Sequence, residues 1–397
     1  MKNKLSFLSR GINKNVVLLG FVSLFTDLSS QMVFPLIPLY LTGVLGASAV
    51  YVGIIEGSAE SIASFLKVYS GYLSDKIKKR KPFILFGYGL SSISKPLFAF
   101  AFTWPSVLFI RMLDRIGKGL RNSPRDALVA DSTEEKYLGK AFGFQRSMDG
   151  IGSVLGAVLA LILLPILGFK NIFLFSAIPG FLVIFSILLL KEPIKNSLSE
   201  KKNQIKFKLS LISPELKIFI LASAIFALGH FGYAFLLLKA KEIGLNDGSA
   251  ISLYVLFYLT YTFVSTPAGM LSDKFGRKII LLFGFLLFSL ISISLVFINT
   301  LGLLIVVFAV YGIFFALIDG NQRAFVVDMS SKKLKATSLG FFQTAIGIFA
   351  LPGGIICGLL WDKFGSSATF IFGGVLSIIA FTIILFIKKK NLYTKAY

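Results

Sequence analysis

The sequence predicts an all-α integral membrane protein, with about twelve transmembrane helices in two pseudo-symmetric six-helix bundles. Three observations point there. The 397 residues are 55% hydrophobic and only 15% charged, with 42 phenylalanines and a mean hydropathy of +0.82, far from the soluble norm. Apolar runs of about 18 or more residues recur along the chain, the length a bilayer-crossing helix needs, whereas strands would need about ten alternating residues. Motifs of the first half also recur in the second at a near-constant offset.

The expected spans lie near 16–42, 50–73, 82–103, 105–130, 138–165, 171–190, 216–238, 250–272, 279–298, 302–328, 336–360 and 367–387. The first run, "NVVLLGFVSLFTDLSSQMVFPLIPLYL", is too long and too polar at its centre for a signal-peptide core, so it is expected to stay as the first span. The longest polar stretch, "KEPIKNSLSEKKNQIKFKLSLISPEL", reads as a linker over 192–215 between an N-terminal bundle, 1–191, and a C-terminal bundle, 216–397. With both termini in the cytoplasm, the clusters "SDKIKKRKP", "KKNQIKFK", "SDKFGRK", "SSKKLK" and "IKKKN" share one side. Lys170, Lys239, Lys241 and Lys363 are left for the other. The positive-inside rule selects that orientation, and the net charge of +22 reads as topology rather than as a nucleic-acid surface. A monomer in a prokaryotic-type cell membrane is expected.

The repeat is specific. "GYLSDK" at 71 recurs as "GMLSDK" at 269, an offset of 198, and Asp131 and Gly143 recur as Asp328 and Gly340, an offset of 197. Parallel six-span repeats suit transporters whose halves rock about a midplane site. The second loop carries Gly269, Leu271, Asp273, Lys274, Gly276, Arg277 and Lys278. The first matches at Gly71, Leu73, Asp75 and Lys76, with Lys78 at the place of the second glycine and Arg80 in its basic run. These loops resemble the G-x-L-x-D-R-x-G-R-K signature of the major facilitator superfamily. The physical expectation for them is gating: the acids face helix N-termini, and the cations pair with acids at other helix ends when that side shuts. A plain topology anchor is the competing reading.

Charge inside the apolar spans is the strongest functional signal, because an ionised group near the bilayer centre costs roughly 2.5–3.5 kcal/mol. Asp27 lies about a dozen residues into the first span, roughly 18 Å along a helix. Arg146 and Asp149 are spaced to pair with each other on the fifth. The fourth span contains "RMLDRIGKGLRNSPRD", residues 111–126, with five cations and two carboxylates. At about 100° per residue, Arg111, Asp114, Arg115, Lys118, Arg121, Arg125 and Asp126 fall on one face, with Pro124 expected to break or kink the helix and loosen the last two. The 197-residue offset maps Arg111, Asp114, Arg115, Lys118 and Arg121 onto Phe308, Tyr311, Gly312, Phe315 and Ile318, so the charged face belongs to one half. The resemblance implies that the first, fourth, seventh and tenth helices line a central cavity. A salt-bridge network that only fixes packing competes with substrate or proton binding.

Weaker signals complete the reading. Gly152 and Gly156 form a small-residue packing face, and they partly resemble the superfamily's antiporter signature, with Ala157 where its proline stands. His230, the sole histidine, titrates near neutrality when unperturbed, though a packed or hydrogen-bonded ring is the commoner role. Asp319 can act as an acid or simply pair with Arg323 four residues on. No phosphate-binding loop or metal-ligand cluster is evident, so neither ATP-driven transport nor enzyme catalysis is expected, and no cofactor. The expected function is secondary active transport by alternating access of a small organic solute of anionic character, coupled to protons. Asp27, Asp149, Asp319 and His230 are the proton candidates; Arg111, Asp114, Arg115, Lys118, Arg121 and Arg146 are the solute candidates. A proton-coupled exporter of drugs or siderophore-like compounds, and a non-transporting membrane receptor, remain open.

Overall fold

The computed structural model describes residues 13–77, 79–134, 137–191, 212–331 and 334–387. Most of the expected linker, Lys78 and several of the basic clusters lie outside these residues. Among the described residues every regular element is helical. The first half holds α1 (Lys14–Val33), α2 (Leu36–Gly43), α3 (Ala49–Ile77), α4 (Lys81–Leu97), α5 (Trp104–Asp131), α6 (Leu138–Phe175) and α7 (Ala177–Leu188). The second holds α8 (Pro214–Gly229), α9 (Gly232–Glu242), α10 (Asp247–Phe275), α11 (Arg277–Phe297), α12 (Leu301–Asp328), α13 (Lys335–Phe364) and α14 (Ser366–Leu385).

Ten described runs are long and apolar enough to cross a membrane. One, Lys140–Leu188, has 49 residues, about 74 Å of helix at 1.5 Å per residue, enough for two crossings. It is interrupted at Gly168, whose φ of 69° and ψ of 172° leave the helical region. The charge-rich α5 is not among the ten, so dividing that run and adding α5 accommodates the twelve expected spans. Large apolar side chains such as Phe86, Phe109, Phe181, Phe283 and Phe297 stay exposed, as lipid-facing residues must.

The duplication extends to hydrogen bonds. Lys81 donates through Nζ to the Leu188 and Leu190 carbonyls at 3.1 and 2.7 Å, and Lys278 donates to those of Leu385 and Ile387 at 2.9 and 2.7 Å. Donor and acceptors all recur at an offset of 197. The first span of each half is also broken, at Phe34–Pro35 between α1 and α2 and at His230–Phe231 between α8 and α9. One expectation is corrected: α5 runs as one helix through Pro124. A proline costs one backbone hydrogen bond, and a membrane helix packed by neighbours tolerates that loss.

The halves meet where α3 packs on α13 and α6 on α10. Glycine permits the first contact: a Cβ on Gly53 would lie 2.0 Å from the Gly354 carbonyl oxygen, and one on Gly358 would lie 2.4 Å from Val50 Cα. Asp362 of α13 then caps α3, accepting from the Ala49 and Val50 N–H groups at 2.9 Å each. Gly152 and Gly156 do pack closely, bringing α6 against the α1 carbonyls of Leu24 and Leu28.

Candidate functional site

Between the halves lies a cavity of about 2260 Å³. It reaches the end of the molecule that carries the basic loops, where Asp75, Lys76, Arg80 and Lys335 line it. The opposite end is shut by the α3–α13 contact. Gln31 of α1 adds a polar clasp there, accepting from the Tyr254 hydroxyl and donating to that of Tyr258, both at 2.7 Å, across the two halves.

The cavity has two unlike walls. All seven charged residues from Arg111 to Asp126 line the N-terminal wall, but they divide into paired and unpaired groups. Arg111, fully buried, donates to Glu56 Oε2 at 2.9 Å and lies 3.9 Å from Asp114 Oδ2. Arg115 Nε is 3.6 Å from the same oxygen, and Ser91 donates to the other carboxylate oxygen of Asp114. Both guanidinium groups also sit over the Phe34 ring, at 3.9 and 4.7 Å from its centroid, a geometry the ring quadrupole favours. Arg125 pairs with Asp126 at 2.9 Å and with Asp149 at 4.0 Å, and Arg146 reaches Asp149 at 3.8 Å. At this level the internal network competing with a binding role is present.

Lys118 and Arg121 are outside that network. Among the described residues neither makes an ion pair or a hydrogen bond through its charged atoms; Arg121 stacks on Tyr88 at 4.2 Å, with its Nε and Nη1 unpartnered. Lys118 is half-buried and feels the charges of Arg115, Lys67, Glu60 and Asp27. Asp27 likewise lines the cavity without an ion pair among the described residues, in the fields of Asp149, Lys118, Arg121 and Arg125.

The second wall is aromatic. Tyr233, Tyr254, Tyr258, Tyr261, Tyr311 and Phe315 all line it. His230 accepts or donates at Nε2 against the Tyr311 hydroxyl at 3.1 Å and packs among Phe226, Phe288 and Phe314. Asp319 is held by Arg323 at 2.5 Å, and the Tyr261 hydroxyl lies 3.5 Å from its other oxygen.

At the mouth, Arg80 contacts Asp75 and lies 3.7 Å from Asp131; Arg277 lies 3.6 Å from Asp273 and 3.0 Å from Asp328. Gly71 brings α3 within close range of Ser123, Gly269 lines the mouth, Lys274 lies over the Phe275 ring, and Gly276 turns α10 into α11 with a φ of 95°. Both arginine pairs exist with the mouth open and tie each loop to its own half.

Sequence reasoning missed Glu56, Glu60 and Lys67, which line the cavity from α3, and Lys95, fully buried on α4 and 3.4 Å from the Thr26 carbonyl. The same rule that selected α5 applies to them. Positions 56, 60 and 67 fall within about 40° on a helix at 100° per residue.

Two pseudo-symmetric helical halves, each with a broken first helix, around a charged cavity open at one end define a two-bundle membrane protein built like a transporter. The comparisons agree. The family model of the Major Facilitator Superfamily matches residues 19–246 and 218–395, and this chain belongs to that family of transporters. It is 40% identical over 386 residues to an uncharacterized MFS-type transporter of Methanocaldococcus jannaschii, covering 95% of this chain and 96% of that one. It is 28% identical over 162 residues to the multidrug resistance protein MdtG of Proteus mirabilis, 40% of each chain. Among solved structures, a D-xylose-proton symporter has a TM-score of 0.79 at 15% identity over 95% of this chain and 98% of that one. The nucleoside transporter NupG has 0.75 at 15% identity over 94% and 99%. At such identities these two share the fold.

Proposed function

We propose that this chain carries a small organic anion across the membrane by alternating access, coupled to protons. The observation that supports the reading best is the group of cations that line the cavity away from its mouth without a carboxylate in ion-pair distance among the described residues: Lys67, Lys118 and Arg121. An unpaired charge in a low-dielectric setting is costly unless a partner visits, and a solute anion is such a partner. The positive-inside rule makes the open mouth cytoplasmic, with α3, α13 and the Gln31 clasp shutting the outer end.

Asp27 is the coupling carboxylate in this reading, with Asp149 held by two arginines as the less available acid. Ionised Asp27 competes with the solute for Lys118 and Arg121; once protonated it leaves them to the anion. Proton and anion then bind together, and release of one promotes release of the other. Gly71, Asp75, Lys76, Arg80 and their counterparts Gly269, Asp273, Lys274, Gly276 and Arg277 serve as the moving rim. The aromatic wall and the similarity to a multidrug resistance protein favour a second reading, proton-driven export of larger amphipathic compounds.

Counterflow in proteoliposomes separates these readings, using organic anions, sugars, peptides and drugs with and without a pH gradient. Saturable counterflow of anions, accelerated by the gradient, is expected. Flux of neutral or cationic compounds alone contradicts the anion assignment, and binding without flux contradicts transport.

A further inference from the structure

We propose that the solute is an anion built on a planar ring, its charged group on Lys118 and its ring against Tyr258, Tyr261 and Phe315. This rests on the anion-transport reading above and adds the chemistry of the uncharged part. The repeat provides the first support. Helix α5 matches α12 at an offset of 197, and α3 matches α10 at 198. Lys118 therefore corresponds to Phe315 and Asp114 to Tyr311, while Glu56 and Glu60 correspond to Tyr254 and Tyr258. Four structural positions, each used twice around the cavity, carry charge on one wall and a ring on the other. A feature needed only for helix packing would appear in both halves.

The second support is exposure. Tyr258, Tyr261 and Phe315 are half-buried and line the cavity, so each keeps ring surface in contact with whatever fills it. Water covers such surface poorly, whereas a ring of the solute covers it well. Their arrangement suits one: Tyr261 and Phe315 stand 5.2 Å apart at 74°, and Tyr258 and Tyr261 stand 6.2 Å apart at 89°. Alternating faces and edges offer a planar guest both stacked and edge-on contacts. The third support is the scarcity of free polar groups on these rings. The Tyr258 hydroxyl is engaged by Gln31 and that of Tyr261 faces Asp319. A polyhydroxylated solute needs a dense set of free donors and acceptors, and these three residues offer it ring surface with both tyrosine hydroxyls already engaged.

The test reads counterflow of radiolabelled benzoate by purified full-length protein in proteoliposomes against matched unlabelled competitors: benzoate with cyclohexanecarboxylate, phenylacetate with cyclohexylacetate, and benzamide as the neutral ring. Aromatic contacts worth about 2- to 10-fold each predict that each aryl anion competes at least about 5-fold better than its saturated partner, with benzamide ineffective. Tyr261→Leu and Phe315→Leu should each pull the aryl-to-cyclohexyl ratio toward unity, while Tyr261→Phe, which keeps the ring, retains the ratio. Equal competition by aryl and saturated anions overturns the ring assignment and leaves the anion reading standing. Competition by benzamide alone, or by none of these compounds, overturns both.

Discussion

Arg111 Nη2 donates to Glu56 Oε2 at 2.9 Å, joining α5 to α3 through a guanidinium fully buried from solvent. Removing Arg111 leaves Glu56 without an ion pair among the described residues, and removing Glu56 leaves Arg111 only the Asp114 carboxylate at 3.9 Å; breaking a buried pair costs about 3–5 kcal/mol. Arg111→Leu and Glu56→Leu should therefore each lower the unfolding temperature in detergent markedly, and the double variant should recover part of the loss. Unchanged unfolding temperatures in the single variants would show that the pair is not structural.

In the proposed orientation the outer closure rests on the close α3–α13 approach at Gly53, Gly354 and Gly358. Because a Cβ on Gly354 would lie 2.2 Å from the Gly53 carbonyl oxygen, Gly354→Val should prevent α3 and α13 from meeting. Cavity residues should then become reactive from outside in a cysteine-accessibility measurement, and transport should fall. Continued protection from the outside would contradict the assignment of this contact as the outer gate.

Gln31 contributes two hydrogen bonds across the halves, each worth about 0.5–1.5 kcal/mol net. Gln31→Leu should shift the open-to-shut equilibrium of the outer end by roughly 5- to 150-fold, read as the change in populations of spin-label distances between α3 and α13 on that side. An unaltered distribution would remove Gln31 from the gate.

The proposed coupling has a definite sign. As pH falls, Asp27 takes up a proton, the wall around Lys118 and Arg121 becomes more positive, and anion affinity rises. Asp27→Asn should hold the protein in the high-affinity form, with anion Kd flat between about pH 5 and 8 and acceleration by a pH gradient lost while counterflow persists. A pH profile identical to that of the unmodified protein would exclude Asp27 as the proton site.

Much of the fold is legible in the sequence for a physical reason: bilayer thickness sets helix length, and duplication sets the offset. The charged face of α5 is legible through periodicity, and so is its absence from α12. The division within that face is not. Whether Arg111 or Lys118 finds a carboxylate depends on α3, which brings Glu56 to one and not to the other, and spacing along α5 says nothing about α3. Arg146 with Asp149 and Arg323 with Asp319 are i,i+3 and i,i+4 pairs, so their pairing is readable locally. Glu56, Glu60, Lys67 and Lys95 were within reach of the rule applied to α5, since each is a charge in an apolar span. The aromatic wall was readable only as the control for the charged face; that the two walls enclose one cavity requires the packing of the halves.

The central claim is that α5 offers unpaired cations to a solute anion, and Lys118→Gln tests it most directly. Lys118 belongs to no ion pair among the described residues, so its neutralisation should leave the unfolding temperature within a degree or two. Anion counterflow in proteoliposomes should fall at least about 10-fold, the loss of one charge-assisted contact. A variant that unfolds normally and transports anions at the full rate would contradict the account.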